Sequence, residues 1–400
     1  MTKPYKTIED CKDLRGARVL LRGDLNVPFQ SGCVTDKSRL EALAPTVKFL
    51  KDHKAITILL SHFGRPGGEK DMDYSLRPVA ECLVDMLGYQ VTFVPDCIGK
   101  PVSDAVADAK PGDILICENL RFYSGETDND PEFVSKLAKN GDIFVNDAFS
   151  AAHRAHASTS GLASVLPAYA GKLMDQELSA LSKIIQAPAR PITAVVGGAK
   201  VSTKLDVLEN LVSKVDHLIL GGGMANTFLF ADGTNVGKSL HEPDMVKSVE
   251  RIMTAAKDSG CIVHIPTDFV VADKFEKHVE TCVKPADQIG QNEMALDIGP
   301  ESIEAIKKVI NTSRTLLWNG PMGAFEVPPF DCATNAVAQH AAAQTDKGDL
   351  YSVGGGGDTV AALENAGAKD QFSYISTAGG AFLEFIEGKT LPGVEALKQA

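Results

Sequence analysis

Nothing in the 400 residues offers ~18 uninterrupted apolar positions, and the opening Met1-Thr-Lys-Pro-Tyr-Lys-Thr-Ile-Glu-Asp10 has no apolar core. A bilayer span and a secretory leader are not expected, and the expected location is cytoplasmic. Positive charge is short: 40 Lys+Arg against 52 Asp+Glu leaves a net −12, so the chain lacks the overall field that draws proteins onto nucleic acid or anionic lipid. Any anion site must be local. The eight cysteines, at 11, 33, 82, 97, 117, 261, 282 and 332, form neither a CxxC metal spacing nor a disulfide framework, which fits a reducing compartment. No GxGxxG occurs, so the usual dinucleotide oxidoreductase is not supported. Gly233-Thr-Asn-Val-Gly237-Lys238-Ser239 has three residues between its glycines where a P-loop needs four, and Gly388-Lys389-Thr390 has no glycine at 383.

What is present is alternation. Short aliphatic or β-branched runs recur at 18–21, 55–60, 91–94, 114–117, 143–145, 193–196, 217–220, 261–265, 315–318, 350–353 and 372–376. They read as buried parallel strands. Between them lie stretches with apolar residues at helical spacing, among them 75–87, 130–139, 201–212, 243–259 and 302–310. The class is α/β. One sheet of about eleven strands would be unusually large, so two sheets of about five or six are expected. Each makes a three-layer α/β/α (Rossmann-like) unit of similar size. A helical stretch at 174–185 followed by Gln-Ala-Pro-Ala-Arg-Pro marks the boundary. The expected division is 1–170, a helix and hinge over 171–190, and 191–382.

Four glycine turns follow strands of the second half: Gly197-Gly198, Gly221-Gly222-Gly223, Gly354-Gly355-Gly356-Gly357 and Gly379-Gly380. The third runs straight into a helix opened by Asp358 and Thr359. Glycine lets the backbone approach an anion, and free N–H groups at a helix start carry partial positive charge. A lone run of this kind is more often a tight turn with an Asp cap. Four at the carboxyl ends of one sheet argue for a nucleotide or polyphosphate. Lys200 and Lys204, four apart on a predicted helix, can share one face.

The first 160 residues hold eight of the eleven arginines. Their strands deliver Arg22-Gly-Asp24-Leu-Asn26, His62 with Arg65, Arg121, and His153-Arg154-Ala-His156 to a single sheet edge. Each residue alone has a dull explanation as a strand-end turn, a solvated cation or a hydrogen-bonded loop histidine. Their convergence suits a small anion bearing phosphate and carboxylate groups.

The order and wording of the motifs carry a resemblance. RGDLNVP at 22–28, SHFGRP at 61–66, ENLRF at 118–122, NDAF at 146–149, AHRAHAS at 152–158, GGAKVSTK at 197–204, NGPMGAFE at 319–326 and GGGDT at 355–359 together resemble the phosphoglycerate kinase family. The resemblance implies a first domain for 3-phosphoglycerate or 1,3-bisphosphoglycerate, a second for Mg-ADP or Mg-ATP, and a tail, 383–400, that returns to the first. It implies a monomer with no nucleic-acid or membrane partner. It places the acid on Asp24, Asn26, Arg39, His62, Arg65, Arg121 and Arg154. The nucleotide falls to Lys204, Gly221, Gly222, Asn319, Glu326, Gly356, Gly357, Asp358 and Thr359, with Asp358 toward Mg2+, and transfer itself to Arg39, Lys200, Lys204, Gly379 and Gly380. The expected reaction is reversible phosphoryl transfer between 1,3-bisphosphoglycerate and ADP, in glycolysis, gluconeogenesis or carbon fixation. A catalytically silent nucleotide-binding scaffold is the alternative. Three departures stand out: Ala378 where the family has a further glycine, Phe382 where it more often has a small residue, and Ser150-Ala151 in place of Gly-Thr. The Ala378 methyl is expected to restrict the backbone where a phosphate passes.

Overall fold

Runs such as Ile-Thr-Ile-Leu-Leu at 56–60 have no polar face, and in the structure, a computed structural model that describes residues 3–185 and 188–398, they are buried on both sides. The strands of the first half are β1 (Arg18–Arg22), β2 (Phe29–Gln30), β3 (Cys33–Val34), β4 (Ile56–Leu60), β5 (Thr92–Val94), β6 (Ile114–Cys117), β7 (Ile143–Asn146) and β8 (Ala168–Ala170). Six form one sheet in the order β5-β6-β4-β1-β7-β8, every pair parallel. The helix Ser38–Asp52 buries Leu40, Leu43, Val47 and Leu50, spaced three and four apart. The helix Arg77–Leu87 adds Val79, Ala80 and Leu83, and both join Val19, Leu21 and Leu59 in one core. The β2–β3 hairpin and the sixth strand, β8, were not expected: Ala-Tyr-Ala is too short and too small to carry a strand signal.

The second half repeats the plan. Its strands are β9 (Ile192–Val196), β10 (His217–Leu220), β11 (Ile262–His264), β12 (Asp268–Ala272), β13 (Cys282–Pro285), β14 (Met294–Ile298), β15 (Thr315–Asn319), β16 (Tyr351–Gly354) and β17 (Tyr374–Ile375). The order β11-β10-β9-β15-β16-β17 is again all parallel. All eleven expected strands are present. The antiparallel sheet β13-β12-β14 is an addition that the parallel pattern did not announce.

In both sheets the chain builds to one side of its first strand and then returns to the other. That reversal falls between β1 and β7 in one unit and between β9 and β15 in the other, and open α/β sheets bind ligands at such points. The second crossing is made by two glycines. Gly320 has φ +107°, a Cβ on it would lie 2.2 Å from the Gly197 carbonyl oxygen, and a Cβ on Gly197 would lie 1.8 Å from that of Pro321. Only backbone fits there.

The described chain divides into two units, residues up to Ser179 with those from Thr390 onward, and Ala180–Lys389. The division falls inside the helix Lys172–Ile185. Residues 383–389 group with the second unit. The C-terminal helix Pro392–Lys398 belongs to the first, where Gly393 N–H donates to the Ala152 carbonyl at 2.9 Å.

Candidate functional site

At the carboxyl edge of the first sheet the chain leaves β1 through Arg22, Gly23 and Asp24. Arg22 is 1% exposed, and every branch of its guanidinium is held. Nε donates to Ser158 Oγ at 2.8 Å, Nη2 meets His62 Nδ1 at 2.8 Å, and Nη1 reaches the Gly23 carbonyl. It is a structural cation under the pocket. Asp24, also buried, pairs with Arg39 at 3.0 Å and accepts the Ser150 hydroxyl; Arg39 Nη1 also donates to the Asn26 carbonyl at 2.7 Å. Asn26 Oδ1 accepts Gly64 N–H at 2.9 Å, which fixes the turn between His62 and Arg65. Ser150, a departure from the family pattern, thus ties the NDAF loop to the aspartate at the end of β1.

Arg121 donates to the Gly64 carbonyl at 2.7 Å, while its Nε is buried without a hydrogen-bond partner. Burial and its neighbours Arg22, Arg154 and Arg65 lower its pKa to about 10. A buried donor beside like charges is what an anion would relieve. Arg65, Gly67, Gly68, Arg121, Tyr123, Thr127 and Arg154 line an open pocket of about 260 Å³ there. Arg65 and Arg154 reach into solvent, and Arg154 Nε contacts His153 Nε2 at 3.1 Å. His62 is driven well below its ordinary pKa by burial and by Arg22 and Arg121; His156 falls to about 4 for the same reasons. Both rings are neutral at pH 7. All seven residues expected to hold the acid lie on the β1, β4, β6 and β7 ends or on the helix beginning at Ser38. Glu126 and Ser158, which lie under them, were not expected; neither residue type stands out in its segment.

In the second unit Lys204 points at the strand crossing. Nζ donates to the Asn319 carbonyl at 3.2 Å and to Asn319 Oδ1, while Asn319 Nδ2 donates to the Gly355 carbonyl at 2.7 Å. Burial lowers the Lys204 pKa to about 8, and Asp358 partly opposes that fall. The shared helix expected for Lys200 and Lys204 is absent. Helix Leu205–Leu211 begins only after Lys204, because Ser202 gives its N–H and hydroxyl to Glu242 and Thr203 turns back to the Lys200 carbonyl. Lys200 is exposed on that loop.

Gly356, with φ +100°, leads into helix Gly357–Asn365, whose first N–H groups have no intrahelical partner. Asp358 is exposed in its first turn. Thr359 is buried and accepts Gly320 N–H at 2.7 Å, so it braces the crossing. Gly221 and Gly222 are packed on protein: a Cβ on Gly221 would lie 2.7 Å from Met322 Cα, and one on Gly222 would lie 2.8 Å from the Gly198 carbonyl oxygen. Glu326 is exposed in the loop after β15. Gly379 and Gly380 open helix Gly379–Ile386, and nothing lies within 4 Å of a Cβ placed on Gly379.

The restriction expected from Ala378 does not arise. Its methyl is buried and its backbone is ordinary extended chain, φ −115° and ψ 95°. Phe382 is wholly buried over Gly355, where a Cβ would lie 2.5 Å from the ring, so the large residue and the glycine are one packing solution. Among the described residues no cluster of three or more His, Cys, Asp or Glu could hold a metal. Asp358, a single exposed carboxylate at a helix start, offers too few donors by itself for a resident magnesium.

A family profile for phosphoglycerate kinase matches residues 8–389. The chain is 55% identical over 394 residues to the phosphoglycerate kinase of Methylorubrum extorquens strain PA1, spanning 98% of each chain. With that of Agrobacterium fabrum it shares 56% over 396 residues, 99% of each. The phosphoglycerate kinase structure from Coxiella burnetii superposes with a TM-score of 0.93 at 42% identity over 99% of both chains, and that from Pyrococcus horikoshii with 0.80 at 30% over 98%. With two parallel sheets, an arginine-rich edge on one and a glycine-rich edge on the other, the chain belongs to the phosphoglycerate kinase family, glycolytic phosphotransferases with a carboxyl group as acceptor.

Proposed function

We propose that the first unit binds 3-phosphoglycerate or 1,3-bisphosphoglycerate, the second Mg-ADP or Mg-ATP, and that the acyl phosphate passes directly between them. The observation that carries this is the pairing of edges. One gathers Arg39, Arg65, Arg121 and Arg154 with two neutral histidines, and the other gathers glycine turns, a helix start and one half-buried lysine.

A carboxylate with pKa near ~3.5 is ionised at neutral pH, so the acceptor needs no general base. Neutral His62 and His156 agree: neither is poised to take a proton. Catalysis reduces to positioning and charge neutralisation, as in loose phosphoryl transfer. Arg39 and Lys204 act on the equatorial oxygens, and Lys200, on its exposed loop, meets the migrating group. Gly379 and Gly380 offer N–H groups, and Asn319, Gly356, Gly357 and Thr359 shape the phosphate path. Asp358 would hold the magnesium that comes with the nucleotide, which would supply charge neutralisation on the phosphates.

The two substrates sit on different units, so transfer requires the region 166–190, of which 186 and 187 lie outside the described residues, to bend until the reacting groups are ~3–3.5 Å apart. A coupled assay with 3-phosphoglycerate and Mg-ATP tests the reading. Turnover is expected, and its absence in folded protein overturns it in favour of a silent scaffold.

A further inference from the structure

One buried acid has no part in the chemistry above. Glu126 lies on the four-residue helix Ser124–Thr127 with its carboxylate fully excluded from solvent, and a charge so placed persists only with partners. Its partners form a chain. Glu126 accepts the Ser158 N–H at 3.0 Å and the Ser158 hydroxyl at 2.6 Å. Ser158 Oγ accepts Arg22 Nε–H at 2.8 Å, and Arg22 Nη2 reaches His62 Nδ1 at 2.8 Å. Every member is less than a tenth exposed. Asp24, the other acid near Arg22, is already paired with Arg39.

The chain has one polarity. A serine hydroxyl has a single proton, and here Glu126 takes it, which turns the oxygen lone pairs toward Arg22. A guanidinium only donates, so His62 Nδ1 must accept and the neutral ring carries its proton on Nε2. We propose that Glu126 is a positioning residue for the acid substrate: through Ser158 and Arg22 it holds His62 in the Nε2–H tautomer, so that His62 meets the anion as a neutral hydrogen-bond donor. This rests on His62 belonging to the acid site. The groups facing the ring, Arg22, Arg121, His156 and Arg39, keep it unprotonated and leave its tautomer as the only variable.

Nitrogen NMR of the full chain labelled at histidine reads the tautomer directly. Wild type at pH 7 is expected to show His62 protonated on Nε2 alone, with its resonances shifting when 3-phosphoglycerate is added. In Glu126→Gln the amide cannot accept from both Ser158 groups. With its Nε contact to Ser158 loosened, the Arg22 guanidinium is free to turn away from Nδ1, so both tautomers are expected, with KM for 3-phosphoglycerate raised about tenfold, the loss of one charge-assisted hydrogen bond, and KM for ATP unchanged. Ser158→Ala deletes only the hydroxyl link, keeps the test open if Glu126→Gln does not fold, and is expected to act alike. A pure Nε2–H tautomer in either folded variant overturns the proposal, whatever happens to KM. If wild-type His62 ignores 3-phosphoglycerate, the placement of the acid site fails instead, and that result is read without any variant.

Discussion

Lys204 carries conflicting demands. Its amine lies on the proposed phosphate path, yet in the free protein it is half-buried against Asn319 with a pKa of about 8, below the ordinary 10.5. That depression costs folding about 3 kcal/mol at neutral pH. The amine is charged in both states below pH 8, so the cost is full there; it fades between pH 8 and 10.5, where the folded protein sheds its proton first. Lys204→Met is therefore expected to be more stable than wild type at pH 7 by up to about 3 kcal/mol, with the gap closing by pH 10.5 in urea titrations. A constant gap would show that burial of the amine is not the cause. Arg39→Ala and Lys204→Ala are each expected to lower turnover at least ~100-fold with circular dichroism unchanged. Near-normal turnover in either would remove that residue from the transfer step.

Among elements, the helix Lys172–Ile185 has its start held by a buried acid. Asp147, at the end of β7, accepts Met174 N–H at 3.0 Å, and a Cβ on Gly171 would lie 2.2 Å from its Oδ1. Burial raises the Asp147 pKa to about 6 from 3.8. The folded state binds the extra proton between those values, so this residue's contribution falls as pH rises from 4 to 6 and stays lost above it, about 3 kcal/mol in all. Asp147→Asn keeps the acceptor for Met174 and is expected to flatten that part of the stability profile, measured by urea titrations at pH 4.5 and 7. An unchanged slope would place the titration elsewhere. Elements were legible in the sequence where their signal was repetitive: strands buried on both faces, and helices with a regular apolar stripe. They were illegible where a single contact decides. Ser202 and Thr203 unwind the first turn expected around Lys200 and Lys204 through bonds to Glu242 and to a backbone carbonyl, and no spacing announces that. The β13-β12-β14 sheet hides because β13 is exposed and β14 only partly buried, so the buried strand β12, Asp-Phe-Val-Val-Ala, stands without a buried neighbour run. Glu126 hides because one acid in Ser124-Gly-Glu-Thr looks like any surface carboxylate until Arg22 and Ser158 are folded onto it.

For the whole molecule, the proposed acid and nucleotide sites fall on separate units, so ligation should be visible as a change in size. Small-angle scattering is expected to show a smaller radius of gyration with both substrates than with either alone; identical profiles would sink the closure. The candidate site residues lie at strand ends, as expected from the sequence, and the two units divide at Ser179/Ala180, inside the helix expected to connect them. Helix Pro392–Lys398 adds a temporal consequence. The Ala152 carbonyl, two residues before Arg154, has its partner in Gly393, so during synthesis the chain must be delivered past residue 393 before the arginine-bearing loop gains this support. The unit translated first is thus the one completed last, and a chain released after residue 389 would carry the whole second unit but lack the C-terminal helix that completes the first.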